Sequence, residues 1–361
     1  MTGYSQMTPR QARATLAAIV LAVAAGVAVT WSPLANPRWN TQAGPSGDAA
    51  LYRAEVERVH SGQSYYEAAA AELTARGYPT RSVFNWRTPL PVWLLGQLPS
   101  LVWGKTILGF LSFLLLWLAF EALSRDEAIT TQTASVGMRR AFGPPTACTL
   151  LLIGPLLPTM SSDLCVMPEL WAGVWIGLSI CAYGVRRPGL GVAFGLTALW
   201  FRELSLPYVL LSAAIAWRQR RRGELAAWLL GLATWAAWYG LHIWRVLDLI
   251  APDALAHSHG WIRFGAAGFV ISTAQMNAYL VLLPQWVTAV YLAASLMGLV
   301  EWDTPLGRRI GLTVCLFLAA FTVAGQSFNQ YWGWLIAPLL CFGVTRCPES
   351  LVDLVRAAVK R

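Results

Sequence analysis

Long apolar runs recur along the chain, and short, mostly basic turns separate them. A run of about 20 apolar residues with few charges is typical of a helix that crosses a lipid bilayer. The pattern predicts an all-α, polytopic integral membrane bundle of about ten transmembrane helices, forming one domain over residues 1–361. The predicted spans are 15–31, 106–123, 145–159, 165–185, 189–201, 204–217, 225–246, 277–300, 310–325 and 331–344.

The composition fits a membrane protein. Hydrophobic residues make up 56% of the chain and charged residues only 12%, whereas a soluble domain has about a quarter charged residues. The 19 tryptophans agree with this, because indole rings favour the boundary between lipid and water. The net charge of +9 comes largely from the short turns and does not predict a nucleic-acid partner.

The arginines predict the orientation, because basic turns favour the cytoplasmic side of a membrane. They fall in alternate turns, so we predict a multi-pass protein of the plasma (inner) membrane with both termini, including the tail 347–361, in the cytoplasm. Residues 32–88, the turn near Asp163 and residues 247–266 would then face the other side. The arginines are Arg125, Arg139, Arg140, Arg186, Arg187, Arg218, Arg220, Arg221, Arg222, Arg308, Arg309 and Arg346.

The first extracytoplasmic loop, residues 32–88, is predicted to contain two amphipathic helices that lie along the membrane surface. The first covers residues 48–60, with an apolar stripe at Tyr52, Val56 and Val59, and Gly62 follows it. The second covers residues 65–76 and ends at Gly77. Residues 91–102 are apolar but too short to cross, so we expect an interfacial or re-entrant helix there.

The sequence has no motif for a zinc site, a disulfide framework or ATP binding. The six cysteines are scattered, without a C-x-x-C pair, and the four histidines form no H-E-x-x-H pattern. A zinc site and a disulfide framework are therefore not expected. The chain also has no phosphate-binding loop of the ATPase type.

Asp48 is the first candidate for chemistry, because it opens the first loop helix just after Gly47. An Asp in that place is commonly a helix cap. The helix N-terminus would also keep the carboxylate ionised, so Asp48 could accept a hydrogen bond from a hydroxyl or bind a metal. The two interpretations are equally favoured and do not exclude each other.

Arg87 is the first candidate for binding an anion, since it precedes Thr88-Pro89-Leu90 at the re-entry to the membrane. A guanidinium there can hold a phosphate through two parallel hydrogen bonds. The alternative is an interfacial cation that only reaches up to the headgroups. Lys105 is a weaker form of the same hypothesis, and for it the interfacial interpretation is favoured.

Arg202 and Glu203 lie between two short apolar runs, which suggests a shallow hairpin with its tip in a hydrated cavity. A purely structural ion pair is the alternative. Glu169, early in the predicted span 165–185, is similar, with a position at the depth of the lipid headgroups as its alternative.

Residues 327–333 place amides and aromatic rings between the last two predicted spans. Amide hydrogen bonds and stacking on indole rings typically hold carbohydrates, so Asn329, Gln330 and Trp332 are candidate contacts for a sugar or a lipid. An ordinary aromatic belt is the alternative.

These residues resemble the motifs of the GT-C superfamily of membrane glycosyltransferases. That superfamily includes protein O-mannosyltransferases, lipid A aminoarabinose transferases and bacterial polyprenyl-phosphate mannosyltransferases. Its members place a catalytic Asp in the first extracytoplasmic loop, often within an acidic-x-x-x-Tyr pattern, which Asp48 and Tyr52 match.

Further similarities run over residues 14–217. Gly62 with Tyr65 and Tyr66 resembles a glycine and aromatic segment of several relatives, and the segment 87–90 resembles their Lys-Pro-Pro-Leu-like motif. A short hairpin with a basic residue also recurs, like the one at residues 202–203. The chain departs at Ala49 and at residues 85–86, where relatives carry further acidic residues.

The resemblance implies a glycosyltransferase that takes its sugar from a polyprenyl-phosphate donor. Asp48 would accept the proton of the acceptor hydroxyl as the anomeric carbon inverts, with Tyr52 beside it. Arg87, Arg202 and Lys105 would bind the lipid phosphate, and Glu203 and Glu169 would support them. The acceptor is a glycan, a lipid or a protein.

We expect membrane lipid as a further partner and no cofactor, because the sequence shows no clear ligand cluster for a divalent metal. A lipid or solute transporter and a non-catalytic membrane subunit of the same fold are the alternatives to the transferase.

Overall fold

The computed structural model describes residues 3–31, 47–130, 143–256, 262 and 267–360. Within these ranges the regular structure is helical, as predicted, apart from one isolated bridge between Ile262 and Ala324. The predicted loop is therefore described only from residue 47 onwards. The α-helices of the described ranges are α1 (Pro9–Thr30), α2 (Asp48–His60), α3 (Tyr65–Ala75), α4 (Pro89–Gly96), α5 (Leu101–Thr130), α6 (Pro144–Leu156), α7 (Pro168–Gly184), α8 (Pro188–Phe201), α9 (Leu206–Arg218), α10 (Arg222–Leu247), α11 (Ala267–Ala274), α12 (Ala278–Val281), α13 (Gln285–Val300), α14 (Pro305–Val323) and α15 (Ala337–Val359).

Three stretches of these helices are long and apolar enough to cross a membrane: Pro9–Thr30, Leu101–Asp126 and Pro305–Val323. A fourth results if Phe328–Leu335 and Ala337–Val359, which meet at a bend of 65°, count as one span. This number is lower than the predicted ten. One reason is length: α8 and α9 have 14 and 13 residues, which is about 20 Å of helix against a hydrocarbon core of about 30 Å.

The outside of the bundle carries many large apolar side chains. Phe113 on α5 is 69% exposed and Leu230 on α10 is 71% exposed. Apolar exposure of this extent is unusual for a soluble monomer and suits a surface that faces lipid.

One end of the bundle gathers the basic turns and both ends of the chain. We call it the arginine-rich end; it comprises the turns 185–187, 218–222 and 301–309. Arg125, on α5, donates Nη1 to the carbonyl of Val185 over 3.0 Å. Arg13 of α1 donates Nε to the carbonyl of Ala358 over 2.9 Å, which joins the two termini.

The opposite end, which we call the loop end, consists of α2–α4, the turn 161–167, residues 202–205 and residues 326–335. Arg53 of α2 pairs with Asp163 there. Thr88 donates Oγ1 to the carbonyl of Phe201, over 3.3 Å, and so ties the start of α4 to the end of α8.

The two predicted loop helices are confirmed as α2 and α3. A reciprocal cap between Ser64 and Glu67 starts α3. Gly62 and Gly77 follow the two helices with φ of +99° and +67°, values that favour glycine.

The predicted span 277–300 is wrong as a single helix. Asn277 accepts a hydrogen bond from the amide of Tyr279 and starts the four-residue α12, and α13 begins only after Pro284. A proline has no amide hydrogen and fixes φ, which favours a helix boundary at this point. Apolar periodicity alone did not indicate this break.

Two further boundaries differ from the prediction. The predicted helix 91–102 is split, since α4 ends at Gly96 and α5 begins at Leu101. The predicted span 331–344 starts in a 3₁₀ segment, Ser327–Leu335, and α15 then runs through most of the predicted tail 347–361. The tail is helical because its apolar face packs on the N-terminal segment, where Tyr4 and Ala12 meet Leu354.

Candidate functional site

Asp48 lies at the loop end, with its carboxylate held by two phenols. Tyr78 donates to Oδ1 over 2.8 Å and Tyr331 donates to Oδ2 over 2.6 Å. The capping interpretation is wrong, because Gly47 occupies the N-cap position and no side chain caps α2. The carboxylate instead connects the loop to the segment before α15.

Arg87 lies beside this carboxylate. Its Nε donates to the hydroxyl of Tyr52 over 2.8 Å and its Nη1 to the carbonyl of Phe84 over 2.8 Å. Nη2 reaches the hydroxyl of Tyr331 at 3.5 Å, so Tyr331 contacts both Arg87 and Asp48. In the described part of the chain no carboxylate forms a salt bridge with Arg87.

The segment that carries Arg87 is anchored on both sides. Tyr65 donates its hydroxyl to the carbonyl of Arg87. The ring of His242, on α10, lies with Nε2 3.3 Å from the carbonyl of Trp86 and Nδ1 3.2 Å from the hydroxyl of Tyr66. These contacts place the guanidinium with little freedom.

The 3₁₀ segment Ser327–Leu335 supplies one wall of the site. Asn329 donates Nδ2 to the hydroxyl of Tyr331 over 3.2 Å. Asn329, Gln330 and Tyr331 are all buried, so this segment is not an exposed aromatic belt. Trp332 packs against Phe269 and Phe321.

Arg202 is completely buried between two carboxylates. Its Nε lies 2.7 Å from Oε1 of Glu169, and its Nη1 donates to Oε1 of Glu203. Glu169 is 0% exposed, so the protein encloses its carboxylate completely. Sequence reasoning named all three residues but not the pair between Arg202 and Glu169, which joins α7 to the end of α8.

The charges around Arg202 act on Arg87. Burial alone would lower the pKa of Arg87, but the hydroxyls of Tyr52 and Tyr331 and the carboxylates of Glu203 and Glu169 raise it above its ordinary value. The Arg87 guanidinium therefore stays charged. Glu169 and Glu203 thus lie within electrostatic reach of Arg87. The charges of Asp48, Arg87 and Arg202 all act on Tyr52 between them.

Glu55 is a buried carboxyl group that the sequence analysis did not select. It is 2% exposed, and its Oε2 has no hydrogen-bond partner among the described residues. Burial raises the pKa of Glu55 from 4.5 to about 8, and the charge of Arg87 only partly opposes this. A signal was present, because Glu55 lies three residues after Tyr52 and one before Val56, on the apolar stripe of α2.

Lys105 lies in the first turns of α5, half-buried. Its charge acts on Cys165 in the turn 161–167, and no hydrogen bond or ion pair found in the described ranges joins it to Asp48, Arg87 or Arg202. The structure does not bring Lys105 together with the other predicted site residues.

Tyr78 and Tyr331 were missed as partners of Asp48. Tyr331 lies inside the polar segment 327–333 that the sequence singled out, so a signal existed for it. Tyr78 follows a helix-ending glycine and had none. Over the described residues no group of three or more His, Cys, Asp or Glu side chains is arranged to hold a metal ion.

Comparisons of the chain with protein-family models, with curated proteins and with solved structures find no significant match. The function is therefore argued from the geometry of the loop end.

Proposed function

We propose that the chain is a membrane glycosyltransferase that moves a sugar from a polyprenyl-phosphate donor to an extracytoplasmic acceptor. The observation that carries the proposal is the pairing of Asp48 with Arg87 at one end of the bundle. A carboxylate held by two phenols lies next to a guanidinium without a carboxylate partner among the described residues.

Asp48 is the general base of the proposed reaction. Each carboxylate oxygen accepts one phenol hydrogen bond and keeps a further lone pair for the acceptor hydroxyl. The acceptor oxygen forms a bond to the anomeric carbon, the bond from that carbon to the phosphate oxygen breaks, and the carbon inverts. The acceptor proton goes to Asp48, and the lipid phosphate leaves with the electron pair.

Arg87 stabilises the departing phosphate, where negative charge develops. Arg202 is less suited to this role, because Glu169 and Glu203 already neutralise it. Arg202 instead positions the end of α8 against α7, where Glu169 pairs with it, and Glu203 holds its other side. Tyr52 orients Arg87, while Asn329, Gln330 and Trp332 form the wall nearest to the sugar or the lipid chain.

The membrane arrangement belongs to the same proposal. The apolar exterior and the separation of the arginine-rich end from the loop end support a multi-pass protein of the inner membrane. About ten helices would cross, with both termini in the cytoplasm and the loop end on the extracytoplasmic face. The short helices α8 and α9 would end below the membrane surface.

The test is release of label from radioactive polyprenyl-phosphate mannose, glucose and arabinose by the purified full-length chain, in lipid nanodiscs with a membrane extract as source of acceptor. We expect wild-type protein to release sugar from one donor. Asp48→Asn should lose two to four orders of magnitude in rate, as expected when a general base is removed.

Asp253→Asn is the matched control, because Asp253 is exposed on the turn after α10. It should keep full activity. Near-full activity of Asp48→Asn would exclude the proposed base, and silence of folded wild-type protein with every donor would favour a non-catalytic subunit.

A lipid or solute transporter is the second candidate, and the broken helices favour it. The run from α11 to α13 is interrupted twice. The 3₁₀ segment Phe328–Leu335 also meets α15 at a bend of 65°. Broken helices commonly surround the substrate site of transporters. Flipping or uptake of a labelled polyprenyl-phosphate sugar without chemical change, in proteoliposomes, would select this function.

A further inference from the structure

The arginine-rich end contains a cavity of about 630 Å³ that the proposed transferase reaction does not use. It opens between the ends of α7 and α9 and the starts of α10 and α14. Its charged and aromatic lining consists of Tyr183, Arg218, Arg221, Asp303, Arg308 and Arg309.

The cavity is far from Asp48 and Arg87. The helix α7 runs from Glu169, at the loop end, to Tyr183, at the cavity, and α9 runs from the Arg202 turn to Arg218. A helix of 13 to 17 residues spans about 20 to 25 Å. A ligand in this cavity is therefore separate from the reacting groups.

The positive charge of the cavity is only partly balanced. Asp303 pairs with Arg308 at 2.6 Å, and Glu224 lies 3.3 Å from Arg221 and 4.0 Å from Arg309. Arg218 has no ion pair within the described ranges. Four guanidinium groups thus face two carboxylates, and the cavity keeps a net charge of +2.

Arg309 is built into the wall of the cavity. It is 5% exposed, its guanidinium lies 3.6 Å above the ring centre of Tyr183, and its Nη1 donates to Ser212 over 3.0 Å. Tyr183 in turn donates to Glu224 over 2.7 Å. A buried guanidinium whose nearest carboxylate is 4.0 Å away is costly to desolvate, and this favours a further anion.

The start of α14 adds to the positive potential. No acidic residue lies in its first turn, and Arg308 and Arg309 follow within five residues of Pro305. Cations near a helix N-terminus are unfavourable, because the helix dipole is positive there. An anion bound at this point would offset the repulsion between the two arginines and their repulsion by the helix dipole.

One flank of the cavity is apolar and continues to the outside of the bundle. Ile215, Leu306 and Leu312 line it, and Leu312 is 50% exposed. Trp217, the residue before Arg218, is 72% exposed. A ligand with a phosphate and hydrocarbon chains would fit both surfaces.

We propose that this cavity binds a phosphate group, supplied by the headgroup of an anionic phospholipid. The guanidinium groups of Arg218, Arg221 and Arg309 donate hydrogen bonds to the phosphate oxygens. The acyl chains lie along Leu312 and Trp217. Bidentate guanidinium contacts give the site its selectivity for phosphate. The proposal holds whether or not Asp48 is catalytic.

The test uses the purified full-length chain in nanodiscs of phosphatidylcholine with a small fraction of phosphatidylglycerol. Native mass spectrometry measures how much phosphatidylglycerol stays bound, and a thermal shift with inorganic phosphate measures binding of the free ion. The variants are Arg218→Gln and Arg309→Gln. Arg222→Gln is the matched control, because Arg222 is exposed at the same end and does not line the cavity.

We expect each cavity variant to weaken retention of phosphatidylglycerol about tenfold, the loss of one strong charge-assisted contact, and Arg222→Gln to leave it unchanged. Arg218 is exposed, so its variant reports on binding even if Arg309→Gln fails to fold. A thermal shift with inorganic phosphate, lost in the cavity variants and without selective lipid retention, would assign the site to free phosphate and overturn the lipid as its source. Equal losses in all three variants, or binding of neither probe, would overturn the site.

Discussion

Tyr331 is the side chain that connects the two charged groups of the site. Its hydroxyl donates to Asp48 over 2.6 Å and lies 3.5 Å from Nη2 of Arg87. A phenol in this position fixes the direction of the carboxylate and separates the base from the cation. A direct ion pair between Asp48 and Arg87 would weaken both of their proposed roles.

Tyr331→Phe should therefore impair turnover more than stability. Without the hydroxyl, Asp48 loses one donor and can rotate toward Arg87, so we expect a fall in sugar release of about 10- to 100-fold, since proper positioning of catalytic groups is worth several kcal/mol. The loss of stability should be about 1 to 3 kcal/mol. Tyr279→Phe is the control, because it also removes one phenol hydrogen bond, which Tyr279 donates to the carbonyl of Leu150 at an exposed position. Equal activity of both variants would contradict this role of Tyr331.

Glu55 predicts a dependence of stability on pH. Burial raises its folded pKa to about 8, from 4.5 for an accessible carboxyl group. Between these values the folded state binds the proton more strongly than the unfolded state, so stability falls as the pH rises from about 4.5 to 8. Above that range this group causes no further loss.

The measurement is chemical denaturation in detergent at pH values across that window. Glu55→Gln should remove much of the slope and gain stability relative to wild type at the alkaline end, while the exposed Glu57→Gln should keep the slope. A wild-type slope that survives in Glu55→Gln would show that another group causes it.

Among the helices, the contact between α13 and α15 depends on two glycines. A Cβ on Gly298 would lie 2.0 Å from the carbonyl oxygen of Gly343, a backbone atom that cannot move aside. Ser295 donates to the carbonyl of Leu340 in the same interface. Small residues allow such close approach of helices, which in lipid compensates for the missing hydrophobic force between them.

Gly298→Ala should destabilise the bundle, because the methyl group forces α13 away from α15. Gly240→Ala, on α10, is the control, since nothing lies within 4 Å of its Cβ position. Alanine is favoured over glycine in a helix by about 0.5 to 1 kcal/mol, so this variant should be unchanged or more stable. Thermal unfolding in detergent compares the two, and equal effects would contradict the close contact.

For the molecule as a whole, the separation of the arginine-rich end from the loop end sets the proposed orientation in the membrane. The turn after α10 belongs to the loop end, because Arg81 donates its amide to the carbonyl of Leu255 over 3.0 Å. Asp303 belongs to the arginine-rich end. The two turns should therefore lie on opposite sides of a bilayer.

Cysteine labelling tests this arrangement in a background without the six native cysteines. A membrane-impermeant maleimide should label Asp253→Cys in intact cells and Asp303→Cys only after permeabilisation. Equal labelling of both positions in intact cells would mean that the bundle does not cross the membrane as proposed.

The positions of helices were largely predictable from local patterns. Apolar periodicity, capping residues and glycines indicated α2 and α3, because these signals act within one or two turns. The low fraction of charged residues indicated a membrane protein, because composition can be read without knowing any tertiary contact. Arg202 stood out because an ionised group is costly between apolar runs, while Asp48 and Arg87 stood out by their places at a helix start and before Thr88-Pro89-Leu90.

The partners of those residues come from contacts across the sequence. Asp48 meets Tyr331, and Arg202 meets Glu169, because the packing of helices brings distant segments to one end of the bundle. The helix break before Gln285 differs, because Pro284 is a local signal that apolar periodicity alone did not include. Local sequence therefore indicated which groups carry charge, while the tertiary packing selected the group that each of them faces.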